Sequence, residues 1–186
     1  MNIEKFFINS EDALLVVVDF QEKLAKAMKE KILENTLKNT ISLINLCKFY
    51  SIPIIITEQY PKGLGNTLKE IKEQIDKEAI EKFYFSCVGE EKFLEDIKEQ
   101  KRNKIILTGM ETHVCVYQTA LDLLVRSFNI FIPQDAVCSR KKEDWKVGLQ
   151  LIKDAGAVIT TTETLIFQIL KKAGTPEFKK MLEFVK

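Results

Sequence analysis

Short apolar runs rich in β-branched residues recur along the chain, and most are followed by a longer stretch with helical spacing. ALLVVVD (13–19), SIPIIITEQ (51–59), AIEKFYFSC (79–87), KIILTG (104–109), NIFIP (129–133) and AVITTTE (157–163) read as strands. Lys82 interrupts the third run, and Pro53 stands at the start of the second, where a missing N–H is tolerated. Between the runs lie helical patterns. ENTLKNTISLINLCKFY (34–50) puts Leu37, Ile41, Ile44 and Cys47 on one face, and DWKVGLQLIKDAG (144–156) closes on Gly156. Parallel strands need a crossover, so this alternation dictates an α/β fold with a mostly parallel sheet. The 186 residues are too few for an eight-fold barrel, which typically takes about 250. The expectation is one domain over residues 1–186 with a doubly wound, Rossmann-like sheet of about six strands in the order 3-2-1-4-5-6 and helices on both faces.

In such sheets ligands bind beyond the carboxyl ends of the strands, where the winding reverses. Asp19 follows the first run, TEQYPKGLG closes and follows the second, Lys82 lies in the third, and GMETHVC ends and follows the fourth. The first and fourth strands are neighbours in this order, so Asp19 and Cys115 are expected across one crevice. With Thr112 as N-cap, His113 is the first helical residue and Cys115 the third. A thiol there lies among N–H groups without intrahelical partners, at the positive helix end that favours a thiolate. The same N–H groups can hold an oxyanion. Asp19 and Lys82 are the available base and cation.

The residues alone leave blander readings open. Cys115 is also read as a small buried residue, Asp19 as a cap for FQEKLAKAM, and Lys82 as edge protection. His113 lies two residues from Cys115, on a different helix face, which argues against direct pairing. Cys47, Cys87 and Cys138 have no C-x-x-C spacing and read as reduced, buried thiols.

Charge narrows the partners. Lys+Arg 28 against Asp+Glu 27 gives a net charge of +1, and the charges are mixed, as in KEIKEQIDKEAIEK. This balance argues against nucleic-acid and membrane-surface binding. LLVVV and IPIII are too short to span a bilayer, and the first residues lack the pattern of a signal peptide, so a cytoplasmic location is expected.

Taken together, VVVDFQEKL, TEQYPKGLGNT, EKFYFSC, TGMETHVCVYQTALDLL, QDAVCSR, GAVITTTETLIFQIL and AGTPEFK resemble the isochorismatase-like cysteine hydrolase superfamily, nearest its isochorismatase domain-containing branch. The resemblance runs from about residue 14 to 180. It implies an Asp–Lys–Cys triad of Asp19, Lys82 and Cys115, a cis peptide at Met110–Glu111, and an oxyanion hole from the N–H groups of Glu111 and Cys115. Metal-binding nicotinamidases carry an Asp and two histidines beside the pocket. Here His113 stands alone, so no metal and no cofactor are expected. Keeping the cysteine argues for acyl transfer at a small amide or carbamoyl C–N bond, through a thioester, and against isochorismate as substrate. Strand-end position suggests Phe20, Gln21, Gln59, Tyr60 and Phe85 as the shell around a small-molecule substrate, although Tyr60 and Phe85 equally fit a core or interface. Members of the superfamily form dimers or larger rings, so a homo-oligomer is expected. Two other readings stand beside the enzyme: a thiol sensor in which Cys87 or Cys138 resolves an oxidised Cys115, and a non-catalytic interaction module on the same fold.

Overall fold

The computed structural model describes residues 3–185. Its strands are β1 (Ala13–Val18), β2 (Ile54–Gln59), β3 (Ile80–Lys82), β4 (Lys104–Met110), β5 (Asn129–Pro133), β6 (Val137–Cys138) and β7 (Val158–Thr160). They form one sheet in the order β3-β2-β1-β4-β5-β7, with β6 also paired to β4. All these pairings are parallel. The winding reverses between β1 and β4, as expected for the doubly wound class, and the sheet has seven strands where the sequence suggested about six.

The extra strand has a simple origin. β5 pairs with β4 only from Lys104 to Ile106, and β6 takes over the same edge at Gly109 and Met110. A two-residue strand carries too little pattern to be read from sequence.

Alternate residues of β1 enter opposite cores, as the two-residue strand period requires. Ala13, Leu15 and Val17 join Leu43, Ile44, Ile166 and Met181 on one face, while Leu14, Val16 and Val18 join Phe93, Ile97, Leu123 and Ile152 on the other. The first face is covered by α2 (Glu30–Tyr50), α8 (Thr162–Leu170) and α9 (Pro176–Val185), and the second by α5 (Glu91–Gln100), α6 (Tyr117–Val125) and α7 (Lys142–Asp154). Burial on both faces explains why the central strands read as continuous apolar runs. The C-terminal tail breaks at Gly174 (φ +83°), and α8 and α9 both pack on α2. Three short helices, α1 (Glu22–Lys26), α3 (Pro61–Leu64) and α4 (Lys69–Lys72), occupy the connections around β2. The segment GLGNTLKEIKEQI therefore holds only one helical turn in α4.

AIEKFYFSC departs from its strand-like composition after three residues. β3 ends at Lys82, and the chain then loops through Phe83–Ser86 into a 3₁₀ turn, Cys87–Gly89. The cause is the lysine. Its Nζ donates to the carbonyls of Tyr84 (3.3 Å) and Phe85 (3.0 Å), curling the following backbone around the ammonium. The rings of Phe83, Tyr84 and Phe85 are turned outward, 68%, 63% and 54% exposed.

Candidate active site

Four strand ends lie side by side around the point where the winding reverses. Val18 of β1 is in register with Thr57 of β2 and with Gly109 of β4, and Gln59 is in register with Lys82 of β3. Asp19 is the first residue past β1, with φ +51°. Asp tolerates this left-handed conformation better than most residues. Gly109 stands beside it with φ +120°, and a Cβ there would lie 2.0 Å from the Val18 carbonyl oxygen. Only glycine lets β1 and β4 approach this closely at the site.

Asp19 and Lys82 are both fully buried, with Oδ2 and Nζ 2.7 Å apart. Each has further partners. Thr57 Oγ1 donates to Asp19 Oδ1 at 2.8 Å, and Lys82 Nζ donates to Gln59 Oε1 at 2.6 Å. Burial pushes the Asp19 carboxyl up from its ordinary value, against the opposing pull of the Lys82 charge. For Lys82, burial acts to lower the ammonium, but the negative charge of Asp19 leads the effects that outweigh it and leave it raised. The pair is best described as a buried carboxylate–ammonium contact that keeps its charges because each has the other.

Cys115 completes the group. Its side chain is close enough to feel the charges of both Asp19 and Lys82. It is 5% exposed, so of the three residues only Cys115 reaches the surface. Burial first, and then the Asp19 charge, push the thiol well above its ordinary value, while Lys82 pulls it back only in part. Desolvation and the neighbouring carboxylate thus act on the thiol against the helix terminus and the lysine, which favour a thiolate.

The local backbone also differs from the sequence reading. Glu111, not Thr112, is the cap residue, and Thr112–Val116 form a π turn leading into α6. The N–H groups of Val114 and Val116 both donate to the Glu111 carbonyl, at 3.0 and 3.3 Å. Thr112 is buried, and its hydroxyl has no hydrogen-bond partner among the described residues. The Met110–Glu111 peptide bond is cis.

The suggested substrate shell divides. The Gln21 amide is used inside the protein: Nε2 donates to the carbonyls of Gln59 (3.0 Å) and Gly65 (2.7 Å), and Oε1 accepts from Gln59 N (2.7 Å). Gln59 holds Lys82 with Oε1 and the Phe83 carbonyl with Nε2 (2.9 Å). Phe20 is buried in the core on the α2 side of the sheet. Tyr60 and Phe85 are exposed beside the site, and Tyr60 stacks obliquely on Phe83 with centroids 5.8 Å apart.

Several supporting residues carried no signal strong enough to be singled out. Thr57 looks like any β-branched residue in IPIIIT. Arg140 braces the Glu111 carboxylate through its backbone N (3.1 Å) and Nε (3.0 Å). His113 turns away to Ser139, with Nδ1 3.0 Å from its hydroxyl. Gly148 did leave a trace, as a lone glycine inside a helical pattern. It lets α7 lie against the turn that carries Cys115, where a Cβ would meet His113 Cα at 2.9 Å. Among the described residues no cluster of His, Cys, Asp and Glu could hold a metal ion.

This geometry has counterparts. The Isochorismatase domain family matches residues 13–164. The chain belongs to the isochorismatase family. Within that family it is 36% identical to isochorismatase family protein 1B of Dictyostelium discoideum, over 95% of this chain and 87% of the relative. A solved structure of the MAR1 ribonuclease from Caenorhabditis elegans aligns with a TM-score of 0.88 at 35% identity, covering 96% of this isochorismatase-family chain and 92% of that one. The octameric YcaC hydrolase of unknown specificity from Escherichia coli aligns with a TM-score of 0.85 at 21% identity, over 97% and 87% of the two chains, a likeness of fold. Family and fold make this chain a hydrolase of the isochorismatase-like type.

Proposed function

We propose that the protein hydrolyses a small amide or carbamoyl C–N bond, with Cys115 as nucleophile, Asp19 as proton carrier and Lys82 as the fixed cation of a triad. One observation carries this reading: the Asp19 carboxylate lies 2.7 Å from the Lys82 ammonium, and the Cys115 thiol is close enough to feel the charge of both. Asp19 takes the thiol proton as Sγ attacks the carbonyl carbon, so charge never rests on an isolated thiolate. The N–H groups of Glu111 and Cys115 hold the tetrahedral oxyanion, each such donor being worth about 3 kcal/mol of barrier. Asp19 then protonates the leaving amine as the C–N bond breaks, leaving a thioester. Water, deprotonated by the same carboxylate, attacks the thioester, and the thiol regains its proton as the acid departs. Lys82 stays protonated throughout and stabilises the carboxylate whenever Asp19 is ionised. No cofactor enters the scheme.

The likeness to a protein described as a ribonuclease raises a second reading, RNA cleavage. Phosphodiester chemistry needs cations free to meet the phosphate. Lys82, the cation of this site, is fully buried, and its ammonium is engaged by Asp19, Gln59, Tyr84 and Phe85. With a net charge of +1, the chain also lacks the excess of positive charge that draws a nucleic-acid backbone.

The deciding experiment screens small amides, ureas and carbamoyl compounds for ammonia release, with an RNA oligonucleotide in parallel. A turnover signal that falls by about three orders of magnitude or more in Cys115→Ala, and a thioester mass adduct on Cys115, are expected. Turnover that survives Cys115→Ala, or cleavage of RNA alone, would overturn the reading.

The proposal extends to a cytoplasmic homo-oligomer. All four cysteines are free and buried. No helix among the described residues is long and apolar enough to cross a membrane. The exposed rings of Phe83, Tyr84 and Phe85 offer an apolar surface beside the site that a second subunit would cover, in line with the octamer of YcaC.

A further inference from the structure

A second cavity lies apart from the triad. It has a volume of about 350 Å³ and opens between the start of α2, the segment around β6 and the start of α7. Ile32, Val137 and Trp145 form its apolar wall, and Lys29, Arg140 and Lys142 bring cations to it. Asp19, Lys82 and Cys115 do not line it.

The groups around it are arranged to receive an anion. Asp135 is the carboxylate on the wall, and its Oδ1 is directed inward, accepting from N and Oγ1 of Thr162 at 2.9 and 3.0 Å. Trp145 is held by its Nε1 donating to the Gln134 carbonyl at 3.2 Å, which fixes the indole as a flat wall. Arg140 spends Nε on Glu111 at 3.0 Å, and its guanidinium carries further N–H donors suited to a carboxylate. Lys142 opens α7, a helix of 13 residues whose positive end is offset in its first turn by Glu143 and Asp144, so the lysine side chains rather than the helix end supply the positive charge.

Arg140 already has Glu111 as its counter-charge, whereas Lys29 and Lys142 make no ion pair among the described residues; a neutral apolar molecule would leave those two lysines unmatched, and a cation would be repelled. An apolar slot of this size with a cationic rim matches a small amphiphilic anion, its body against the indole and its charge at the rim. We propose that this cavity binds a small organic carboxylate with an aryl or short apolar body, at a site separate from the nucleophile. Through Arg140 the ligand would share a side chain with Glu111, so the cavity stands one residue away from the nucleophile turn.

Trp145 is the only tryptophan in the chain and so reports on this cavity directly. Titration of the full chain with benzoate is expected to give a saturable change in its fluorescence, with benzyl alcohol, of similar shape but uncharged, at least about tenfold weaker. The double variant Lys29→Gln/Lys142→Gln and the single variant Ile32→Glu should each weaken benzoate by about tenfold. Cys115→Ala should bind benzoate as the unaltered chain does, whatever becomes of the hydrolase reading. The proposal falls if benzoate gives no saturable change into the tens-of-millimolar range, if benzyl alcohol binds equally well, or if Cys115→Ala abolishes binding. Should either cavity variant fail to fold, the benzoate and benzyl alcohol comparison on the unaltered chain decides.

Discussion

Asp19 and Lys82 are each fully buried, and each keeps its charge because of the other. Removing one partner leaves an uncompensated charge in the core. Lys82→Met is therefore expected to lower stability by about 3–5 kcal/mol, read from the urea unfolding midpoint. Asp19→Asn separates reactivity from catalysis. The Asp19 charge helps to hold the Cys115 thiol up, while Lys82 pulls it down. Without the carboxylate the thiol pKa should fall, so alkylation by iodoacetamide at neutral pH should quicken even as hydrolysis is lost. Slower alkylation of that variant would contradict this account of the charges. Strand-end position near the winding reversal marked the three side chains as candidates, and only the family resemblance set the triad reading above a buried cysteine, a helix cap and an edge lysine. Thr57 and Gln59, which hold them, were not legible in those roles. What a side chain accepts or donates depends on the register of neighbouring strands, and no local pattern records it.

At the scale of elements, the turn that carries Cys115 is held in place by close approach. Gly148 brings α7 against His113, and a methyl group there would sit 2.9 Å from its Cα. Gly148→Ala should cost about 1–3 kcal/mol through overpacking and should lower turnover, because relief requires α7 or the turn carrying Cys115 to move. A loss of stability in urea with unchanged turnover would place the strain elsewhere. The alternation of strands and helices was readable because both faces of the sheet are covered, which writes β1, β2 and β4 as unbroken apolar runs. Where tertiary contacts set the backbone, the pattern failed. The π turn at Thr112–Val116 follows from Val114 and Val116 sharing the Glu111 carbonyl, and β3 stops at Lys82 because the lysine draws the next carbonyls around itself.

Over the whole molecule, the four buried thiols and the buried ammonium act in one direction. Burial raises Cys87 from 9.0 to about 11 and Cys138 from 9.0 to about 12, and raises Cys47 and Cys115 as well. Above pH 9.0 the unfolded chain releases thiol protons that the folded chain still holds, so stability falls as pH rises through this window. Lys82, raised above 10.5, adds a loss of the same sign above pH 10.5, where the unfolded ammonium gives up its proton and the folded one still holds it. Denaturant midpoints should therefore decline steadily from pH 9 upward, and Cys87→Ala should flatten the decline by on the order of 3 kcal/mol at its alkaline end. A midpoint that holds level across this range would refute the assignment. The same raised thiol has a further effect on how the protein ages. A thiol whose pKa is held up offers little to peroxides or stray electrophiles. Such a protein should tolerate oxidising stress and long storage with Cys115 intact, which is the opposite of what a redox sensor requires.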